Sequence, residues 1–165
     1  MEMRLLGKTG LKVSEIGLGC EFLQGTPLET VQSVVSAALD GGINILDVFM
    51  SEPEVRTNLG ISLKDRRPAV TLQGHIGAAW VDGQYTATRY LALCKRFIAY
   101  FMTRLQTDYI DVGMLHFVDL AEDFEALQQN GILDYAHQLK QQGIIRAVGV
   151  SSHNPRTARM MVDSG

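Results

Sequence analysis

The sequence predicts a parallel α/β protein whose polar groups gather at one rim of the sheet, and three observations carry that expectation. Residues 109–117 form a short, nearly continuous apolar run, with the length and character of a strand buried on both faces. Four such runs end on polar groups: residues 43–46 lead to Asp47, 70–74 to His75, 109–115 to His116, and 145–150 to Ser151, Ser152 and His153. Segments with apolar residues at helical spacing separate these runs, and alternating strands and helices build parallel sheets with sites at the strands' carboxyl ends.

Composition bounds the rest. A chain of 165 residues is one domain's worth of sequence and long enough to bury a core. Its 46% hydrophobic and 20% charged residues are ordinary for a soluble globular protein. The net charge of −3 and the scattered basic residues, with Arg66-Arg67 the densest pair, argue against nucleic acid as a partner. Cys20 and Cys94 lie far apart with no metal spacing, as expected for reduced thiols of a cytoplasmic protein. Residues 1–4 lack the apolar core of a signal peptide, and no apolar run approaches membrane-spanning length, so no membrane partner is expected.

Taken in order, residues 4–14 place two short apolar pieces around a Gly/Lys/Thr/Gly turn and predict a β-hairpin. Residues 16–20 read as a first core strand whose glycines allow close backbone approach. Thr26, Pro27 and Glu29 are an N-cap, a first-turn proline and a capping-box acid. The helix they open keeps Val31, Val34, Val35, Ala38 and Leu39 on one face and stops at Gly41-Gly42. Ser51, Glu52, Pro53 and Glu54 repeat the start signal, Val55, Leu59 and Leu63 give a second apolar stripe, and Arg66-Arg67-Pro68 closes it. After the third strand, residues 70–74, comes a longer loop with Gly77, Trp80 and Gly83. A long helix is expected from about Thr86 to Leu105. The central strand follows. One further helical stretch carries Phe124, Leu127, Ile132, Leu133, Tyr135, Ala136 and Leu139 up to Gln142-Gly143. The fifth strand is residues 144–152, and Asn154-Pro155 caps a last helix. No repeat, linker or low-complexity tract intervenes.

The count is a hairpin and about five strand–helix units, whereas a closed (β/α) barrel needs eight. An open doubly wound sheet fits the length but usually shows a glycine-rich phosphate turn after its first strand. Residues 17–22 hold two glycines at that spacing and lack the third.

Residues 4–14 and 16–20, then 42–47, 107–111 with Leu115-His116, and 149–152 resemble, in that order, the blocks of the aldo-keto reductase family. The resemblance spans the chain and implies a TIM-type (β/α) barrel truncated to its hairpin and first five units. Residues 1–165 are then a single partial barrel domain, the front of a longer protein. It also implies hydride transfer between a nicotinamide cofactor, usually NADPH, and a small-molecule carbonyl substrate. With the last units absent, NADP is expected to bind this piece weakly or not at all. Some reductases resembling this variant carry a C-terminal iron–sulfur module, of which these residues show no sign.

Carbonyl reduction needs a proton donor beside the substrate oxygen and groups that set its pKa. The family uses an aspartate, a tyrosine, a lysine and a histidine. Asp47 matches the aspartate and His116 the histidine. The tyrosine normally follows the aspartate and precedes a Ser-Glu pair; here Ser51-Glu52 arrives about four residues early and no tyrosine stands between. At the lysine position stands His75. Asp47, His75 and His116 therefore form either a different acid–base cluster or, respectively, a helix cap, packing and a hydrogen-bonded core residue. Ser151 and Ser152 match the pair that holds the nicotinamide carboxamide. Trp80 and Phe117 stand on rim loops as pocket walls or as packing; His153-Asn154 reads as a helix cap, His137 as surface, and Asp119, Glu122 and Asp123 as a solvated loop.

Two functions follow: a carbonyl oxidoreductase with altered acid–base groups, or a catalytically inactive, degenerate barrel that binds a ligand or partner. Loss of the tyrosine favours the second; Asp47, His116, Ser151 and Ser152 favour the first. Five parallel strands leave their outer edges unpaired, so self-association through those edges is expected.

Overall fold

The computed structural model describes residues 1–164. The expected hairpin is β1 (Met3–Leu5) paired antiparallel with β2 (Lys12–Ser14). It is pinned to the chain before the second core strand by Ser14 and Asn44. The Ser14 amide donates to Asn44 Oδ1 (2.7 Å), and the Asn44 amide donates to Ser14 Oγ (3.0 Å).

A short β3 (Leu18–Gly19) leads to α1 (Leu28–Asp40), which begins later than the capping-box pattern suggests. Pro27 stands at the N-cap, because the Thr26 hydroxyl turns back to donate to the Leu23 carbonyl (2.7 Å). Next come β4 (Ile45–Val48) and α2 (Pro53–Leu63). Glu52, not Ser51, caps α2: its carboxylate accepts from the Val55 amide (2.9 Å), while the Ser51 hydroxyl donates to the Ala79 carbonyl. Strand β5 (Thr71–Ile76) runs two residues past the expected end and takes in His75.

The segment expected as a loop is a second antiparallel hairpin, β6 (Ala78–Val81) and β7 (Gln84–Ala87), with Val81 opposite Gln84. Asp82 (φ 51°) and Gly83 (φ 78°) make the two-residue turn, the positive-φ pair that matches hairpin twist. Thr86 therefore belongs to a strand, and α3 (Leu91–Leu105) starts at the first residue of its apolar stripe rather than at about Thr86. After β8 (Ile110–Leu115) the single expected helix is two, α4 (Ala121–Gln129) and α5 (Ile132–Gln141). Gly131 at φ 71° breaks them, and the five-residue step from Leu127 to Ile132 is the sequence trace of that break. Then follow β9 (Ile145–Val150) and α6 (Pro155–Asp163), which Asn154 caps as expected.

The sheet order β3-β4-β5-β8-β9 is entirely parallel and follows the chain, the arrangement of a TIM-type (β/α) barrel opened to five strands. One face is the core: Leu46, Val48, Leu72, Ile76 and Leu115 pack with Val35 of α1, Leu59 of α2 and Phe101 of α3 in one apolar cluster. On the other face Ile45, Asp47, Gln73 and Met114 are only half-buried. Burial on both faces thus holds for most of β8 and fails for β4, where half-buried and buried residues alternate. At the amino ends of the strands, the buried Asp111 carboxylate accepts from Arg67 (3.0 Å), Arg146 (2.9 Å) and the Leu72 amide (2.9 Å). That network lies at the opposite end from the rim cluster.

Candidate active site

The carboxyl ends of β4, β5 and β8 bring Asp47, His75 and His116 into one continuous hydrogen-bonded chain. Parallel register sets Asp47 beside Gln73, whose amide donates to Asp47 Oδ1 (2.9 Å). Two residues on along β5, the same strand face presents His75, and its Nε2 lies 2.8 Å from the same carboxylate oxygen. His116 follows β8 directly. Its backbone amide donates to the Ile76 carbonyl (3.0 Å), which carries the β5–β8 ladder one step past the strand and fixes the ring beside His75. The two Nδ1 atoms are 2.8 Å apart and share one hydrogen bond. Both imidazoles are buried, at 6% and 3% exposure.

Sequence reading missed the fourth member, Tyr85. Its phenol is hydrogen-bonded to His116 Nε2. The β6–β7 hairpin delivers it: Trp80 pairs with Tyr85, the Thr88 amide donates to the Gly77 carbonyl (2.8 Å), and the Ser51–Ala79 bond ties the hairpin to the β4 loop. The available signal was Asp82-Gly83 between Trp80-Val81 and Gln84-Tyr85, a strong short-range hairpin cue. Phe49 sits among the rings, stacked on His116 at 5.8 Å and edge-on to His75 and Tyr85 at 5.9 Å. Its ring packs against both imidazoles.

These groups line a cavity of about 480 Å³ with Glu21, Gln24, Met50, Phe117, Ser151 and His153. That volume suits a small ligand. Phe117 is a wall of it, in a left-handed backbone (φ 57°) whose carbonyl accepts from Arg89 Nη2 (2.7 Å). Trp80 is not; it borders a separate, smaller cavity with Pro53, Phe97 and Tyr100. Ser151 faces the cavity, and its backbone bridges β8 and the following loop through Leu115 and Val118. The Ser152 hydroxyl is bonded to Asp119 Oδ1 (3.3 Å) and the Asn154 carbonyl (3.2 Å). Of the loop acids Glu122 is exposed as expected, whereas Asp119 accepts from His153 and Asp123 accepts from the Asp119 and Leu120 amides. A second cavity, bordered by Arg4, Val13, Gly19 and Ile45, also reaches Asp47 and Gln73.

Electrostatics fit an acid–base chain. Burial by itself would raise the Asp47 carboxyl, but the hydrogen bond and charge of His75, the Gln73 amide and His116 together hold it below the usual range. Burial, with the positive charges of His75 and Arg89, pushes His116 down to about 3, so it is a neutral imidazole. Burial raises the Tyr85 phenol, partly offset by Arg89. Burial and the Asp47 charge raise the neighbouring Cys20 thiol to about 12; Cys20 and Cys94 are free, buried thiols. Among the described residues no group of three or more His, Cys, Asp or Glu is arranged to hold a metal ion, and no helix is long and apolar enough to cross a membrane.

The model of the Aldo/keto reductase family matches residues 15–165. The chain is 32% identical over 166 residues to uncharacterized oxidoreductase YqkF of Bacillus subtilis, covering 98% of this chain and 52% of that protein. It is 29% identical to aldo-keto reductase YhdN of the same organism, covering 92% and 47% respectively. The holo form of aldo-keto reductase AKR11C1 from Bacillus halodurans superposes with a TM-score of 0.83 at 29% identity, over 99% of this chain and 54% of that one. The chain thus spans about half the length of the curated relatives it matches.

Proposed function

From the premise that this chain belongs to the aldo/keto reductase family, we propose that it carries the acid–base part of a nicotinamide-dependent carbonyl reductase. The observation that carries this reading is the unbroken Asp47–His75–His116 chain at the ends of three adjacent parallel strands, opening on a ligand-sized cavity. A buried, neutral His116 stands at the cavity end of that chain, His75 stands behind it, and the Asp47 carboxylate keeps a proton on His75 Nε2. Phe49, Met50 and Phe117 keep water from the reacting oxygen and favour a small carbonyl compound with an apolar body.

The cofactor of this reading is NADP, which when bound supplies hydride to the carbonyl carbon. The residues fit it: Ser151 is open to the cavity for the carboxamide, and Ser152 holds Ser151's backbone through Asp119 and the start of α6. Buried reduced thiols support a cytoplasmic setting. Residues 1–165 act as one folding unit, and the outer edges of β3 and β9 are surfaces for self-association.

The test uses protein isolated at its native length. With NADPH and a panel of aromatic and aliphatic aldehydes, loss of cofactor absorbance should depend on the aldehyde. It should fall at least about 100-fold in His116→Gln. Carbonyl-independent oxidation, or equal rates in that variant, would sink the reading.

A further inference from the structure

The polar contacts at the rim form a single line with one outlet. Asp47 is a carboxylate and can only accept, so His75 Nε2 carries a proton. The Nδ1–Nδ1 bond then needs one donor and one acceptor, and the nitrogen left over on His116 is Nε2, which meets the Tyr85 phenol. Every polar atom of the two buried rings is used, and the last group, Tyr85, is 40% exposed and lines the cavity. We infer that Asp47, His75, His116 and Tyr85 are one proton relay, with the Tyr85 phenol as the end that gives the proton to a ligand oxygen. The identity of that oxygen, a carbonyl being reduced, rests on the function proposed above.

The geometry allows two proton arrangements that differ by one proton. In the first, His75 holds protons on both nitrogens, donating to Asp47 and to His116 Nδ1. His116 then donates from Nε2 to the phenol oxygen, and the phenol proton points into the cavity. In the second, His75 keeps only its Nε2 proton, His116 donates from Nδ1 to His75, and the phenol donates to His116 Nε2. Passing from first to second moves three protons one place each. Tyr85 gives its proton to the ligand oxygen and takes one from His116 Nε2, and His116 takes one from His75 Nδ1. With hydride added at carbon, the carbonyl gains two electrons and two hydrogens and becomes an alcohol. The line resets when the cavity returns a proton to the Tyr85 oxygen and the three shifts run backward, which puts the second proton back on His75. Arg89 and His153 face His116, Arg89 faces Tyr85, and Cys20 faces Asp47. The Arg89 guanidinium disfavours the extra proton on His116, which leaves it on His75, next to the carboxylate.

The arrangement departs from a donor placed on the loop after β4: residues 48–52 hold no tyrosine, and a separate hairpin brings the phenol in over β8. Phe49 of that loop packs edge-on to Tyr85 at 5.9 Å.

Two measurements test the relay. In protein labelled with nitrogen-15 in histidine, Tyr85→Phe should shift His116 Nε2 and reset the tautomer balance of both rings, since the hydrogen-bonded line loses its end. Unchanged imidazole spectra would overturn the relay. With NADPH and benzaldehyde, Tyr85→Phe should lower kcat by about 100-fold or more with KM little changed. Replacing Tyr85 by 3,5-difluorotyrosine, which keeps the ring and acidifies the phenol, should move the alkaline limb of the rate profile to lower pH. A reductase that keeps its rate in Tyr85→Phe would overturn the relay and leave the reductase reading standing. A protein that reduces no carbonyl yet shows the coupled imidazole spectra would overturn the reductase reading and leave the relay standing.

Discussion

At the residue scale, the cluster makes folding depend on pH with a definite sign. His116 is depressed to about 3 from its ordinary 6.5, so the unfolded chain binds a proton there that the folded one refuses. Its effect is absent above pH 6.5, and stability falls as pH drops from 6.5 toward 3. Asp47 is also depressed, so its contribution is present above the usual carboxylate range and is lost as pH falls below it through the folded value. Both act in the same direction. Urea midpoints measured from pH 8 to pH 3 should therefore decline in the native chain and decline less steeply in His116→Gln; parallel slopes would contradict the assignment. Asp47, His75 and His116 were legible because each ends an apolar run, and a strand's carboxyl end is where a parallel sheet presents its polar groups. Tyr85 was not, because it reaches His116 across 31 residues and a reversal of the chain, a contact that no period in the sequence encodes.

At the element scale, the β6–β7 hairpin was hidden by its neighbour. An expected helix start at about Thr86 covered β7, and neither strand alternates: β6 is buried or half-buried along its length and β7 is exposed along its length. Its existence hangs on Asp82-Gly83, both at positive φ. Gly83→Val puts a β-branched residue in that region, at a cost of about 1–2 kcal/mol. Amide hydrogen exchange across β6 and β7 should speed up roughly tenfold, while the amides of α1 and α3 keep their rates. Uniform loss of protection would mean that the hairpin does not open by itself. The break between α4 and α5 was obscured in the opposite way: its one trace, the five-residue step from Leu127 to Ile132, lies inside a run otherwise at helical spacing.

At the scale of the whole molecule, the order of strands and their common direction were legible from the alternation of elements, and the apolar face from their burial-prone residues. The half-buried face was not, since its exposure depends on what stands across from it. The outer strands each have one neighbour, and β9 presents Arg146 as its one charged residue. Light scattering at micromolar concentration should show a species heavier than 18.2 kDa; a stable particle of that mass would mean the edges do not pair. The two cavities that share Asp47 have a consequence of their own. Asp47 is open on the side of the amino-terminal hairpin as well as on the ligand's side, and with 36% of its side chain exposed it is the one member of the line that borders both cavities.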